Sequence, residues 1–319
     1  MSLKQSVSRL WAHGPREAAR RLLWRVLYGA QDRLRTPLMA LRTRPAAWQP
    51  LPRLEPANTF FDARELPRLW PYVQRLMYED DYLFHRLLDR RIQGLRNWEY
   101  AHLMARVVSG DGCGAWRVLD VGPGNSTFPA FLGRYVGRVV TIDYPRPLED
   151  IDARTRRTWR EMGILVSHGT MERLPFGPDL FDLVTCISTI EHLDESSGGV
   201  FLPYEVFLQR VRRSLRELCR VIRPGGYLYL TTEAYVPELQ RGDRWWNADA
   251  RRGIVSAFRI GDIPSVFLDT IAGLGFQFVG PVDLDPSLLI QDQARSIFRG
   301  RYFTSLRLLA QRAGTRVAL

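Results

Sequence analysis

Two acids and two glycines stand at spacings that can hold a small cationic molecule. The stretch Trp-Arg-Val-Leu-Asp-Val-Gly-Pro-Gly-Asn-Ser-Thr-Phe at 116–128 starts as a short apolar run of strand type. It breaks at Gly122 and Gly124 and continues as a helical pattern over about 126–135. A strand that runs through Gly-x-Gly into a helix is the first half of a doubly wound nucleotide-binding unit. The glycines permit positive φ and let the backbone come close to a ligand. A second strand, 138–143, ends in Asp143, 21 positions after Gly122. A carboxylate there can accept both hydroxyls of an adenosine ribose.

Asp120 narrows the choice of adenosine. It lies two residues before the first glycine, at the mouth of the loop. A carboxylate in that place repels a pyrophosphate and attracts an ammonium or sulfonium group. The third glycine of the dinucleotide pattern is also missing, since Thr127 takes its position. Both features favour a cationic, phosphate-free cofactor, S-adenosylmethionine.

Four ordered segments then carry a family resemblance. They are Val-Leu-Asp-Val-Gly-Pro-Gly-Asn-Ser at 118–126 and Val-Val-Thr-Ile-Asp at 139–143. Next come Gly-Thr-Met-Glu-Arg-Leu-Pro-Phe at 169–176, Phe-Asp-Leu-Val-Thr-Cys-Ile-Ser at 181–188 and the pair Glu191, His192. The last is Leu-Cys-Arg-Val-Ile-Arg-Pro-Gly-Gly-Tyr-Leu-Tyr-Leu-Thr-Thr at 218–232. Over about 110–313 the chain resembles the class I S-adenosylmethionine-dependent methyltransferases, and more loosely their bacterial glycan and natural-product branch. The resemblance implies an α/β, Rossmann-like, doubly wound seven-stranded sheet whose last strand is antiparallel, here preceded by an N-terminal helical extension. Strands are expected at 164–168, 181–187, 227–232 and 276–282, with the antiparallel one at 302–311. Helices are expected at 202–222 and within 266–272. The resemblance further implies that Asp120, Gly122 and Gly124 hold the methionine end of the cofactor, with Asn125 also among the cofactor-binding residues. Asp143 would bind the ribose, Tyr144 would lie against the adenine, and Thr170 and Met171 would meet the adenine edge. Ser126 replaces a small glycine of the family loop, and Thr170 stands where many members have an aspartate.

Methyl transfer from a sulfonium is an in-line displacement in which the acceptor atom comes within about 3–3.5 Å of the methyl carbon. An alcohol acceptor must also lose a proton, a task that suits a histidine near neutral pKa. Of five histidines, His192 follows the fourth strand at the sheet edge where ligands bind in open α/β folds. His192, with Glu191 beside it, is the candidate catalytic group; a structural or cofactor-orienting role is the alternative. A metal is not expected. Ser188 occupies the place where methyltransferases acting on RNA 3′ ends carry a further glutamate, and no histidine follows His192. Acceptor contacts are expected from Trp98 and Tyr100 just upstream of the first strand, and from Trp245 and Trp246 in a polar loop, where adjacent tryptophans must pack or bind.

The chain has 319 residues, 45% of them hydrophobic and 25% charged, and a net charge of +11. That composition excludes wholesale disorder and disulfide scaffolds, and Cys113, Cys186 and Cys219 read as reduced thiols. No apolar run approaches the roughly 18 residues of a membrane span, and the N-terminus does not read as a signal peptide. All but one of the 45 basic residues are arginine. Residues 1–60 hold 11 basic and 3 acidic groups, and 286–319 hold 6 and 1, so the middle is near neutral. The expected organisation is a basic amphipathic arm and linker over 1–60, a helical cap over 61–109, the catalytic domain over 110–313 and a tail over 314–319. Over 15–34 apolar residues recur at three- and four-residue spacing with arginines alongside. Such a helix either packs on the protein or lies in the headgroup region of an anionic membrane. The leading expectation is a cytoplasmic O-methyltransferase acting on a sugar or glycan, lipid-linked or free, with peripheral contact at the inner membrane face. Competing readings are a small-molecule O- or N-methyltransferase of secondary metabolism, an RNA methyltransferase, for which no recognition module is visible, and a scaffold without turnover.

Overall fold

The computed structural model describes residues 58–62, 65, 68–69, 72–73, 76, 93–105, 112–144, 151–194, 202–235, 258–285 and 303–314. The amphipathic arm, most of the linker, and Trp245 and Trp246 lie outside them. All described elements belong to one unit, residues 46–319. In chain order they are β1 (Asn58–Phe60), α1 (Gln93–Leu103), β2 (Arg117–Val121), α2 (Phe128–Leu132), β3 (Arg138–Asp143), α3 (Ala153–Glu161) and β4 (Leu165–His168). There follow β5 (Phe181–Ile187), α4 (Tyr204–Arg220), β6 (Ile222–Tyr235), β7 (Phe258–Arg259), α5 (Asp269–Gly273), β8 (Phe276–Phe278), β9 (Val282–Asp283) and β10 (Phe303–Arg312).

The sheet runs β4-β3-β2-β5-β6-β10, with β8 on the far side of β10. Strands β2 to β6 pair in parallel and β10 is antiparallel to β6. This is the seven-stranded frame the sequence implies. Every residue of β5 is buried, as a strand covered on both faces requires. One face packs on α4, through Phe207, Val211, Leu215 and Leu218, and on Val266, Phe267 and Ile271 before and within α5. The other packs on Trp98 and Ala101 of α1, Phe128 and Phe131 of α2, and Trp159 of α3. Apolar residues at three- and four-residue spacing line the inner side of α4, while Arg213 and Arg216 are exposed. Arg210 and Arg220 are instead paired, with Glu172 and Glu217.

Three short strands extend the frame. β7 lies beside β6, and β1 with β9 continues the line of β8 along β10. Residues 310–312 of β10 pair with β8, and Leu306 and Arg307 pair with β1. Asn58, wholly buried, closes the gap: its Oδ1 accepts from Leu309 N at 2.6 Å and its Nδ2 donates to Val279 O at 3.1 Å. The strand expected over 276–282 is split into β8 and β9 because Gly280, at φ +78°, and Pro281 turn the chain between them. The helix expected over 126–135 shortens to five residues and stops at Gly133.

Candidate functional site

The glycine turn follows β2 at the carboxyl edge of the sheet. Gly122 has φ +71° and Gly124 φ +52°. A Cβ on Gly122 would lie 1.9 Å from Thr189 Cγ2, so the turn after β5 presses directly on this glycine. Thr189 Oγ1 donates to Gly122 O at 3.0 Å, and Gly122 N donates to Ile142 O at 2.8 Å. A Cβ on Gly124 would meet nothing within 4 Å, so that side of the turn is open. The two glycines thus serve different ends: the first packs, the second leaves room.

Two acids frame this turn. Asp120, on β2, is buried and accepts from Thr185 Oγ1 at 2.5 Å. Burial pushes its carboxyl up to about 7; the Thr185 hydroxyl opposes the rise, and the charge of Asp143 adds to it. Asp143, at the end of β3, accepts from Gly124 N at 3.1 Å through one oxygen and from Tyr144 N at 2.8 Å through the other. Burial raises its carboxyl as well, against those two N–H groups and the nearby His192 imidazole. The β3 acid, the glycine turn and the exposed His192 of the turn after β5 therefore lie close together at this edge of the sheet.

The remaining residues expected at the cofactor are held by specific bonds. Arg210 of α4 donates to Tyr144, to Glu172 at 3.0 Å through Nε, and to Leu193 O at 2.8 Å. Thr170 Oγ1 accepts from Glu172 N at 3.0 Å, which shapes the turn after β4, and Met171 is buried beside it. The amide of Asn125 is engaged at both ends by Asp152, donating to Oδ2 at 2.7 Å and accepting from its N at 3.2 Å. Asp152 in turn caps α3 by accepting from Thr155 N. Asn125 thus ties the loop to α3.

Helix α1 packs behind this edge. Glu99 is wholly buried and accepts from Ser188 Oγ at 2.9 Å, Ser305 Oγ at 2.8 Å and Arg96 Nη1 at 2.6 Å. Tyr229 Oη donates to the Glu99 carbonyl at 2.5 Å. Tyr100 stacks on Phe128 at 4.0 Å between ring centroids and is hydrogen-bonded to Ser126 beside the glycine turn. Trp98 has no exposure. Its ring lies under the Arg307 guanidinium at 4.4 Å, and its indole N–H donates to Glu65. The aromatic that the sequence offers as an acceptor platform is therefore an internal strut, because Arg307 and Glu65 enclose it.

On the side of β5 and β6, Glu191 is fully buried and accepts from Thr232 Oγ1 at 2.8 Å. Glu233, near the end of β6, is buried against it. Burial and the Glu233 carboxyl hold the Glu191 carboxyl well above the usual range. Glu99, between Trp98 and Tyr100, and Glu233 lie in stretches that the sequence offers for acceptor contacts, whereas Arg96 does not. The signal for Glu233 is its place in the stretch 233–236, just beyond the expected strand 227–232.

Residues 119–230 match the family model described as a methyltransferase domain. The chain carries a class I S-adenosylmethionine-dependent methyltransferase domain. The chain is 26% identical over 122 residues to the uncharacterized methyltransferase YcgJ of Bacillus subtilis (strain 168). That alignment covers 38% of this chain and 42% of the relative, so the chain matches less than half the length of that protein. Among solved structures, the YcgJ protein is similar over 64% of this chain and 94% of its own, at 17% identity and a TM-score of 0.41. The N-methyltransferase NodS from Bradyrhizobium japonicum WM9, in complex with S-adenosyl-L-homocysteine, is similar over 76% and 98%, at 17% identity and a TM-score of 0.44. The residues around the glycine turn fit S-adenosylmethionine. Two acids flank a turn that has open space at Gly124, and such a pair favours a cationic guest. Among the described residues no group of three or more metal-ligating side chains is placed to hold an ion.

Proposed function

We propose that this chain methylates a hydroxyl of a sugar or glycan, lipid-linked or free. The observation that carries the methyl-transfer reading is the pair Asp120 and Asp143 on either side of the open glycine turn. When bound, the cofactor supplies a methyl group activated by a sulfonium. Asp120 would anchor its cationic methionine end and Asp143 its ribose hydroxyls, with Tyr144, Thr170 and Met171 toward the adenine. Gly122 and Gly124 shape the turn, and Asn125 holds that loop to α3. His192 stands where it can orient the cofactor or take a proton.

The hydroxyl acceptor is supported by the polar character of the β5–β6 side, where Glu99, Glu191, Glu233, Arg96 and Ser188 gather. Such groups match the many donors and acceptors of a sugar. Residues Tyr100, Trp245 and Trp246 would add ring faces. The same acids suit an ammonium-bearing small molecule, so small-molecule O- or N-methylation is the second reading. The basic arm would bring the enzyme to an anionic cytoplasmic membrane face. Among the described residues no helix is long and apolar enough to cross a membrane. The test is methyl transfer from labelled S-adenosylmethionine to a panel of glycosides, phenols and amines. Turnover on glycosides is expected, and turnover on phenols or amines without glycosides overturns the acceptor assignment. Removal of residues 1–56 should lower turnover on a vesicle-embedded acceptor only.

A further inference from the structure

Ser188 has an uncommon backbone. It directly follows β5 with a φ of +44°; among the described residues the other non-glycine with positive φ is Asp179, in an exposed turn. A side chain disfavours the left-handed region, and a buried residue stays there only where its surroundings hold it. Ser188 is buried and is held from two sides. Its N donates to Thr231 O at 3.0 Å and to Thr231 Oγ1 at 3.1 Å, on β6. Its Oγ donates to Glu99 Oε1 at 2.9 Å, on α1. The first contacts belong to the sheet. The second comes from a helix 89 positions earlier in the chain.

The direction in which the chain leaves Ser188 decides where the next residues go. Thr189 is laid on the glycine turn: its Oγ1 donates to Gly122 O at 3.0 Å, and its Cγ2 fills the space that a Cβ on Gly122 would need. Thr189 O accepts from His192 N at 3.0 Å, which starts the 3-10 turn Ile190–Asp194. A rotation at Ser188 would shift the packing on Gly122 and the place of His192 together. Glu99 is well fixed to resist it. The same Oε1 accepts from Ser305 Oγ at 2.8 Å, Oε2 accepts from Arg96, and the Glu99 carbonyl accepts from Tyr229 Oη. The next residue of α1, Tyr100, reaches the other side of the turn through Phe128 and Ser126. We infer that Glu99 is a positioning residue for the cofactor turn, acting through the left-handed conformation of Ser188 and the seat of Thr189 on Gly122. This rests on the reading of that turn as the S-adenosylmethionine site.

The experiment measures calorimetric affinity for S-adenosylmethionine on the full chain. Ser188→Ala and Ser305→Ala each remove one hydroxyl from the same oxygen of Glu99, but Ser305 lies on β10, separated from β2 by β5 and β6. Both should lower the thermal midpoint by a similar amount, about a few degrees. Only Ser188→Ala should weaken cofactor affinity, by about fivefold or more. Glu99→Ala should weaken it at least as far. Adding Ser188→Gly to Glu99→Ala should restore part of that loss, since glycine takes a φ of +44° without steric penalty. A merely structural role would show no such rescue, because the glycine returns no contact to the site of Glu99. The inference is overturned if Ser188→Ala binds as tightly as wild type, if Ser305→Ala weakens binding equally, or if the glycine restores nothing. Should Glu99→Ala fail to fold, the two serine variants decide alone. Failure of the wild type to bind S-adenosylmethionine would instead strike the reading of the turn as the cofactor site.

Discussion

Replacing Asp120 with asparagine separates the two effects of its carboxyl, because the shape remains and the charge goes. The folded protein holds this group at about 7 against an ordinary 3.8. At 1.36 kcal/mol per pH unit, that gap amounts to about 4 kcal/mol in favour of the neutral form. The folded state keeps a proton that the unfolded state releases, so stability without cofactor falls as pH rises from 3.8 toward 7. It stays low above 7, where the buried carboxylate is fully charged. D120N lacks this penalty and should be more stable than wild type above neutrality, by up to about 4 kcal/mol. Cofactor affinity moves the other way. Binding a cation needs the carboxylate, and protons compete for it, so wild-type affinity should fall about tenfold for each pH unit below neutrality. D120N should bind weakly at every pH. Calorimetry with S-adenosylmethionine across this range, with thermal unfolding of the unliganded protein, measures both. A flat wild-type affinity, or D120N binding as tightly as wild type, would refute the assignment of Asp120 as the cation anchor.

Further expectations follow from the surrounding contacts. Gly122→Ala combines a left-handed φ of +71° with a Cβ placed 1.9 Å from Thr189 Cγ2. It should destabilise the domain by about 3 kcal/mol or more in thermal denaturation, and adding Thr189→Ser, which removes that methyl, should recover part of the loss. Asp143→Ala should abolish S-adenosylmethionine binding in calorimetry while the protein remains folded; retained affinity would discredit the ribose assignment. Burial raises the Glu65 carboxyl, but the His102 hydrogen bond, the Arg307 and His102 charges and the Trp98 N–H outweigh it and bring the group down to about 2. Its contribution to stability is therefore complete above the ordinary 4.5 and fades as pH falls toward 2. Glu65→Gln should lose about 3 kcal/mol in urea denaturation at neutral pH, and much less in acid; equal losses would show that the charge is not what matters.

The parallel core was legible because its strands are short apolar runs that end in recognisable turns. Residues 181–187 could be placed to the residue, since a fully buried strand needs no polar alternation. The glycine turn and its two acids were legible because their chemistry is carried by local spacing. What the sequence could not signal is what depends on distant partners. Asn58–Phe60 has three residues and no period, and it is a strand only because β10, nearly 250 residues later, offers an edge. Trp98 is an indole of uncertain purpose until Glu65 and Arg307 close around it. Asn125 sits in a cofactor motif, yet its amide is claimed by Asp152 across the loop. The acids at 191 and 233 come together only when β5 and β6 pair.

The position of β10 also has a bearing on how the molecule is made. The last strand in the described chain is not laid on the outside but slots between β6 and the pair β1 and β8. During synthesis from the amino end, the segment that seals the sheet emerges after all the other described strands. Until then β6 presents a naked row of amide groups, and Asn58 has no Leu309 to grip. Such an open flank invites foreign strands, so this protein should lean on chaperones late in translation, and truncations that remove β10 should precipitate rather than persist as smaller folded bodies.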